Sequence, residues 1–278
     1  MERCGPARAH DRSAPSPRAP GPRKLGGSQP RRVDIACRRP AAMNPTPLTL
    51  TWYGHACFGL RAGDHSLLID PYRPGGFGGK MALPPIDDTF DAVVVTHEHD
   101  DHAALDALIH PAPRIETGQL GPFTIARTRV FHDEYGGRRR GGTTDILSVE
   151  VSGRRLVHLG DVGHSPRQGD LDALRAARRI DLLIVPVGGY FTIGSAQAWE
   201  WCRALSPRVV VPTHAADPRV DLNLRPIAHF LASSPLPVEE VGRSVECGEA
   251  LLSFRNRVIV MGTSAHRSHA LTPRHPAA

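Results

Sequence analysis

Between Asp91 and His102 the chain reads Asp-Ala-Val-Val-Val-Thr-His-Glu-His-Asp-Asp-His. Four of these side chains, His97, His99, Asp101 and His102, are of the kinds that hold a divalent ion, since imidazole and carboxylate together suit zinc or a close relative. One histidine after a strand is ordinarily a solvated or packed side chain. Three histidines and two aspartates within the six residues from His97 to His102 are another matter. So dense a set of polar groups at a strand end is costly without a partner charge. The chemistry this cluster predicts is metal binding, and with it the activation of water.

The residues before the cluster say how it is held. Ala92 to Val95 is a short, β-branched apolar run, the pattern of a buried strand, and it stops in polar residues. If the extended geometry persists a little beyond Val95, His97 and His99 point to one side, because strand side chains alternate with period two. Asp101 and His102 follow in the turn, and Ala103 to Ile109 reads as a helix behind it. Ligands must also come from other strand ends. Phe123 to Phe131 runs directly into His132, Leu156 to Leu159 into Gly160-Asp161, and Val209 to Val211 into Pro212-Thr213-His214. Singly each reads as a turn or cap residue; with the first cluster they form an ordered set on one edge.

Further strands are expected at Leu48 to Tyr53, Cys57 to Arg61, Ser66 to Ile69, Asp145 to Val151, Leu182 to Val187, Ala250 to Phe254 and Arg257 to Met261. Helices are expected at Leu171 to Arg178, Ser195 to Leu205 and Asn223 to Ala232. An early run of strands, then strands alternating with helices, predicts an α/β fold: an αββα four-layer sandwich of two mixed sheets flanked by helices. Gly75-Gly76-Phe77-Gly78-Gly79 reads as a mobile lid over the cleft, without the strand-to-helix context of a phosphate loop. No internal repeat signals a solenoid.

With 278 residues, 40% of them hydrophobic, the chain can bury a large core. No apolar stretch approaches the roughly 18 to 20 residues that cross a bilayer. The net charge of +6 is unevenly placed: residues 1–42 hold ten Lys/Arg and three Asp/Glu, leaving 24 basic against 25 acidic residues elsewhere. A near-neutral body counts against a nucleic-acid partner, which leans on phosphate neutralisation. Cys4, Cys37, Cys57, Cys202 and Cys247 lack close Cys-x-x-Cys spacing, and their odd number fits reduced thiols in the cytoplasm. Residues 1–46 are Arg/Pro-rich and read as a disordered extension, with Met43 as an alternative start. The catalytic domain is expected over 47–263 and a flexible tail, including His266, His269 and His275, over 264–278.

The order His97-x-His99-x-Asp101-His102, then His132, Asp161 and His214, resembles the metal-binding signature of the metallo-β-lactamase superfamily, over roughly residues 48–261. The resemblance implies one metal on His97, His99 and His132, a second on Asp101, His102 and His214, and Asp161 bridging them. Histidine at position 99 resembles the hydrolytic zinc branch more than the flavodiiron one. Trp52-Tyr53-Gly54-His55, the stretch His132 to Gly141 and Val157-His158-Leu159-Gly160-Asp161 look like the metal-dependent hydrolases related to ascorbate-6-phosphate lactonases. That branch places His55 beside the metals, as a catalytic candidate with Asp101.

Two zinc ions, with manganese as the alternative, would lower the pKa of a bound water towards about 7. A metal-bridging hydroxide would then attack an ester, lactone or phosphoester of a small molecule. Glu98, Asp100 and Asp133 are candidates for orienting the histidines. His158 reads as a packed strand residue and Cys57 as a buried structural thiol. Arg138-Arg139-Arg140 is a candidate for meeting an anionic substrate, and Tyr190 or Thr192 for lining the pocket. The alternatives are a nucleic-acid phosphodiesterase and a non-catalytic metal or ligand sensor. A homo-oligomer is compatible with the sequence.

Overall fold

The computed structural model describes residues 46–139, 141–253 and 256–262, all within the unit Asn44–Ala278. In chain order the elements are β1 (Leu48–Gly54), β2 (Cys57–Ala62), β3 (His65–Ile69), β4 (Ala92–Val94) and a turn of 3-10 helix at Leu105–Ala107. There follow β5 (Gly118–Leu120), β6 (Phe123–Phe131), β7 (Thr143–Val151), β8 (Arg154–His158), α1 (Gln168–Arg175), β9 (Leu182–Pro186) and α2 (Ser195–Leu205). The last are β10 (Val209–Thr213), α3 (Ala228–Leu231), β11 (Val238–Val241), β12 (Ser244–Glu246), α4 (Glu249–Leu252) and β13 (Arg257–Met261). The expectations for residues 1–45, Arg140, Phe254 and the tail from 263 lie outside the described residues.

The strands form two mixed sheets, one ordered β12-β1-β2-β3-β4 and one ordered β11-β13-β10-β9-β8-β7-β6-β5. In the larger sheet β8, β9, β10, β13 and β11 run parallel, whereas β5, β6, β7 and β8 pair antiparallel in turn. Two reversals leave β6 pointing the same way as β8. The C-terminal ends of β6, β8, β9 and β10 therefore share one edge, the edge on which open α/β sheets carry their ligands.

Both faces of the larger sheet are covered, which is why its parallel strands are continuous apolar runs. Between the sheets, Leu50, Phe58, Leu60, Leu67, Ile69 and Val94 meet Leu147, Val149, Leu156, Ile184, Val209 and Ile259. On the outer face, Val157, Leu183, Val185 and Val210 pack beneath Leu171, Leu174, Trp199, Trp201 and Phe230 of α1, α2 and α3. The smaller sheet buries Cys57, Leu68, Val93 and Val95 under Tyr72, Met81, Leu83, Ile86, Leu108 and Val220. The αββα plan stands, with the helices concentrated on the larger sheet and mostly irregular chain over the smaller one. Among the described residues no helix is long and apolar enough to cross a membrane.

Three expected elements differ. Ala103 to Ile109 forms only a 3-10 turn: the Ala104 N–H is taken by Pro71 O, and Pro111 and Pro113 block elongation. The helix expected from Asn223 is confined to Ala228–Leu231, beyond Pro226, because the residue before a proline is pushed out of helical geometry. The strand expected at Ala250 is instead α4, whose Leu251 and Leu252 both enter the inter-sheet core. A short apolar doublet has no period by which helix and strand can be told apart.

Candidate metal centre

The candidate ligands lie just beyond strand ends of both sheets, with His97, His99, Asp101 and His102 in the loop after β4. His132 follows β6, Asp161 follows β8 after Leu159-Gly160, His214 follows β10, and His55 follows β1 in the smaller sheet. His55 and His214 sit in the left-handed region, at φ 49° and 51°. Non-glycine residues seldom rest there, and such backbone strain tends to collect at functional sites.

The side chains converge as two groups of four: His97, His99, His132 and Asp161, and His55, Asp101, His102 and His214. Within each group the ligand atoms lie no more than 4.8 Å apart. Asp161 stands between the groups. Its Oδ1 is 3.3 Å from His102 Nε2, and its Oδ2 is 3.4 Å from both His132 Nε2 and His214 Nε2 and 3.8 Å from His97 Nε2. Asp101 Oδ2 is 3.0 Å from His55 Nε2 and 3.6 Å from His102 Nε2. All seven sequence-expected ligands thus meet, with His55 as an eighth. Seven are buried; His99 is half-buried.

One supporting residue escaped the sequence reading. Asp70 follows β3 at φ 50° and is fully buried. It accepts the Thr96 N–H at 2.6 Å and the Thr96 hydroxyl at 2.7 Å, and the His102 Nδ1–H at 2.8 Å. Since the Thr96 hydroxyl proton is given to Asp70, the 2.9 Å contact to His97 Nδ1 must be donated by the imidazole. That leaves the His97 Nε2 lone pair facing His99 Nδ1 at 2.9 Å, while His102 Nε2 points at Asp161 Oδ1 at 3.3 Å. An aspartate directly after an apolar strand is the same signal that marked Asp161, and Asp70 carries it. By contrast, Glu98 pairs with Arg114 at 2.6 Å and Asp100 with Arg73 at 3.4 Å, both near the surface. Asp133 accepts the N–H groups of Tyr135, Gly137 and Arg139 and so shapes the loop after His132. None of these three makes a described contact with an imidazole.

The electrostatics fit divalent cations. Burial, reinforced by neighbouring histidines, pushes the His97 imidazole down to about 3 and the His55 imidazole down to about 4, so both offer a lone pair. At His102 burial acts the same way, but Asp161, Asp101 and Asp70 outweigh it and raise the imidazole well above its usual value. Around His102 the three carboxylates thus favour positive charge. Buried ring nitrogens of His55, His102, His132 and His214, with Asp161 Oδ1, find no hydrogen-bond partner among the described residues. Buried polar atoms are rarely left so, and a cluster of them is what a bound ion would satisfy.

Glycine permits the strand ends to approach. A Cβ at Gly188 would lie 2.1 Å from His214 O, and one at Gly163 would lie 2.1 Å from His132 O. Of the remaining sequence candidates, Arg139 stacks on Tyr135 with its guanidinium 3.7 Å from the ring centre. Tyr190 is exposed, while Thr192 turns inward and donates to Ile193 O. The Gly75–Gly79 loop is tied by its own backbone, Gly75 N–H to Met81 O at 2.7 Å and Gly79 N–H to Gly75 O at 2.9 Å. Burial raises the Cys57 thiol well above its usual value, in keeping with a structural role.

Comparison with known proteins agrees with this geometry. The family described as beta-lactamase superfamily domain matches residues 49–214. A UPF0173 metal-dependent hydrolase of Thermoplasma acidophilum is 28% identical over 193 residues, covering 60% of this chain and 83% of its own. A crystal structure from Thermotoga maritima, assigned to the Zn-dependent hydrolases of the metallo-beta-lactamase superfamily, superposes with a TM-score of 0.58 at 28% identity, covering 77% of this chain and 98% of that one. An isothiocyanate hydrolase from Delia radicum gut bacteria shares the fold at a TM-score of 0.56 and 15% identity, over 76% and 95% of the two chains. With the fold, the clustered imidazoles and carboxylates and the family match in agreement, the chain belongs to the metallo-β-lactamase superfamily of metal-dependent hydrolases.

Proposed function

We propose that the chain is a dinuclear zinc hydrolase, with manganese as the alternative metal, that cleaves an ester, lactone or phosphoester bond in a small molecule. The observation that carries this reading is the position of Asp161, whose two oxygens reach imidazoles of both four-residue groups. In this reading His97, His99 and His132 hold one ion, Asp101, His102 and His214 hold the other, and Asp161 holds both.

Paired divalent cations supply a nucleophile near neutral pH, by bringing the pKa of a coordinated water to about 7, and steady negative charge developing on the attacked group. The chain's own residues prepare for that chemistry. Asp70 and Thr96 fix the tautomers of His102 and His97. Asp101 stays ionised because His102 and His55 oppose the effect of its burial, and its Oδ2 accepts the His55 Nε2–H. Its Oδ1 is then available to orient a water. Burial of seven of the eight groups keeps bulk water away and strengthens each interaction.

A cavity of about 400 Å³ beside half-buried His99, also bordered by His97, Arg114, Arg127, Arg129 and Gly141, supports a small-molecule substrate. A second, more apolar cavity of about 440 Å³ lies along the same edge but touches only His214 of the cluster. The near-neutral body supports a substrate other than nucleic acid. Buried free thiols at Cys57, Cys202 and Cys247 support a cytoplasmic location.

The test is hydrolysis of bis(p-nitrophenyl) phosphate and a lactone panel, with and without chelator, in wild type and Asp101→Ala. Chelator-sensitive turnover that Asp101→Ala loses is expected. Metal uptake without turnover of any substrate would favour the sensor.

A further inference from the structure

We propose that His158 is a positioning residue for the metal centre, a neutral imidazole clamp between the turn that carries His55 and the turn that carries Asp161. The inference rests on the dinuclear reading above. His158 ends β8, in register with Leu147 of β7 and Ile184 of β9, and is fully buried. Its ring reaches from the larger sheet towards the smaller one. Nε2 lies 3.1 Å from Ala56 O, a residue 102 positions away in sequence, and Nδ1 lies 2.9 Å from the Gly160 nitrogen.

Those two contacts determine the tautomer. A backbone N–H can only donate, so Nδ1 is the acceptor; a carbonyl can only accept, so Nε2 carries the proton. Both ring nitrogens are thereby satisfied, and the imidazole has no lone pair left for an ion. Each contact falls on the backbone next to a candidate ligand: Ala56 follows His55, and Gly160 precedes Asp161. The ring is held edge-on to Phe58 at 5.7 Å, which fixes its rotation.

The His55–Ala56 turn is gripped from other sides as well. His55 O accepts the Thr213 hydroxyl at 2.6 Å and the Trp52 Nε1–H at 2.9 Å. Thr213 immediately precedes His214. The smaller sheet contributes His55 after β1 as well as the His97–His102 loop after β4, and the His55 turn is tied to the strand ends carrying Asp161 and His214 through His158 and Thr213. Of these two links, His158 joins one group of four to the other. Ligand geometry in metal sites is set by such outer contacts, whose loss typically costs about 10- to 100-fold in affinity.

The test uses the full chain as wild type, His158→Gln and His158→Leu. Glutamine offers one donor and one acceptor; leucine fills similar space with neither. Zinc affinity is measured by chelator competition, together with the unfolding midpoint of the metal-free protein. The clamp predicts that His158→Leu binds the more weakly held zinc about 10- to 100-fold less tightly, and that His158→Gln recovers most of that loss. A folded His158→Leu protein with wild-type zinc affinity, or a loss that glutamine does not relieve, would overturn the inference. If His158→Leu does not fold, ¹⁵N NMR of the metal-free wild type decides. The Nε2–H tautomer is expected at His158, and an Nδ1–H tautomer would refute the clamp. Wild-type protein that takes up no zinc would instead overturn the dinuclear reading, so the two failures are told apart.

Discussion

At the scale of single residues, the site depends on proton placement as much as on ligand count. Asp70 holds His102 Nδ1–H and both donors of Thr96, and through Thr96 it fixes His97. Asp70→Asn keeps the shape but turns an NH₂ group towards donors. It should weaken zinc binding by about 10- to 100-fold, read by chelator competition. Asp70→Ala should in addition lower stability by about 1–3 kcal/mol, read by denaturant unfolding, because buried donors lose their acceptor. His97, His99, Asp101 and His102 were legible in the sequence because they are crowded into one loop. His132, Asp161 and His214 were legible because each follows an apolar strand. Asp70 bears that same mark but stands far from the crowded loop in sequence. Glu98, Asp100 and Asp133 stand close to the ligands along the chain, but side-chain direction sends them to arginines and to loop amides instead.

At the scale of elements, the loops after β9 and β10 approach so closely that glycine at 188 is obligatory. Gly188→Ala sets a Cβ 2.1 Å from His214 O, backbone against backbone. It should cost about 1–3 kcal/mol of stability and weaken zinc binding through His214. Gly169→Ala on α1, where an added Cβ meets nothing within 4 Å, should be neutral or stabilising by up to about 1 kcal/mol. Denaturant unfolding of the two variants checks both. β6 and β7 are also joined by Asp145, which accepts from Arg129 and Arg127. Burial raises its carboxyl, but the two guanidinium groups outweigh that and hold it below its usual value. The stabilisation is therefore present above the unfolded value of about 4 and fades as pH falls through the lower folded value. The gap in unfolding midpoint between wild type and Asp145→Asn should be widest near pH 7 and shrink below about pH 4. A gap that grows in acid would refute this assignment. Long β-branched runs announced their strands, and α2 was legible to its ends. β5, β11 and β12 were not, since short, exposed edge strands carry no burial pattern to read.

At the scale of the whole molecule, the sequence revealed the layers but left much of their closure unstated. An early strand run followed by strands alternating with helices implied two sheets, and the two inter-layer cores confirm it. The direction of each strand, which brings ligands from His55 to His214 to one edge, follows from sheet order that no local pattern encodes. The irregular cover over the smaller sheet was likewise hidden, because prolines and single apolar residues mark a loop without saying what it covers. What the fold supplies to function is a rigid frame: strands buried on both faces, ending together, with the reactive groups on their tips.

The central claim is that these tips hold two ions through one shared carboxylate. Anomalous diffraction at the zinc edge, from crystals of the zinc-loaded full chain, addresses it most directly. Two peaks about 3.5–4 Å apart are predicted, one beside His97, His99 and His132, the other beside Asp101, His102 and His214, with Asp161 touching both. A single peak, or zinc bound away from Asp161, would contradict the account.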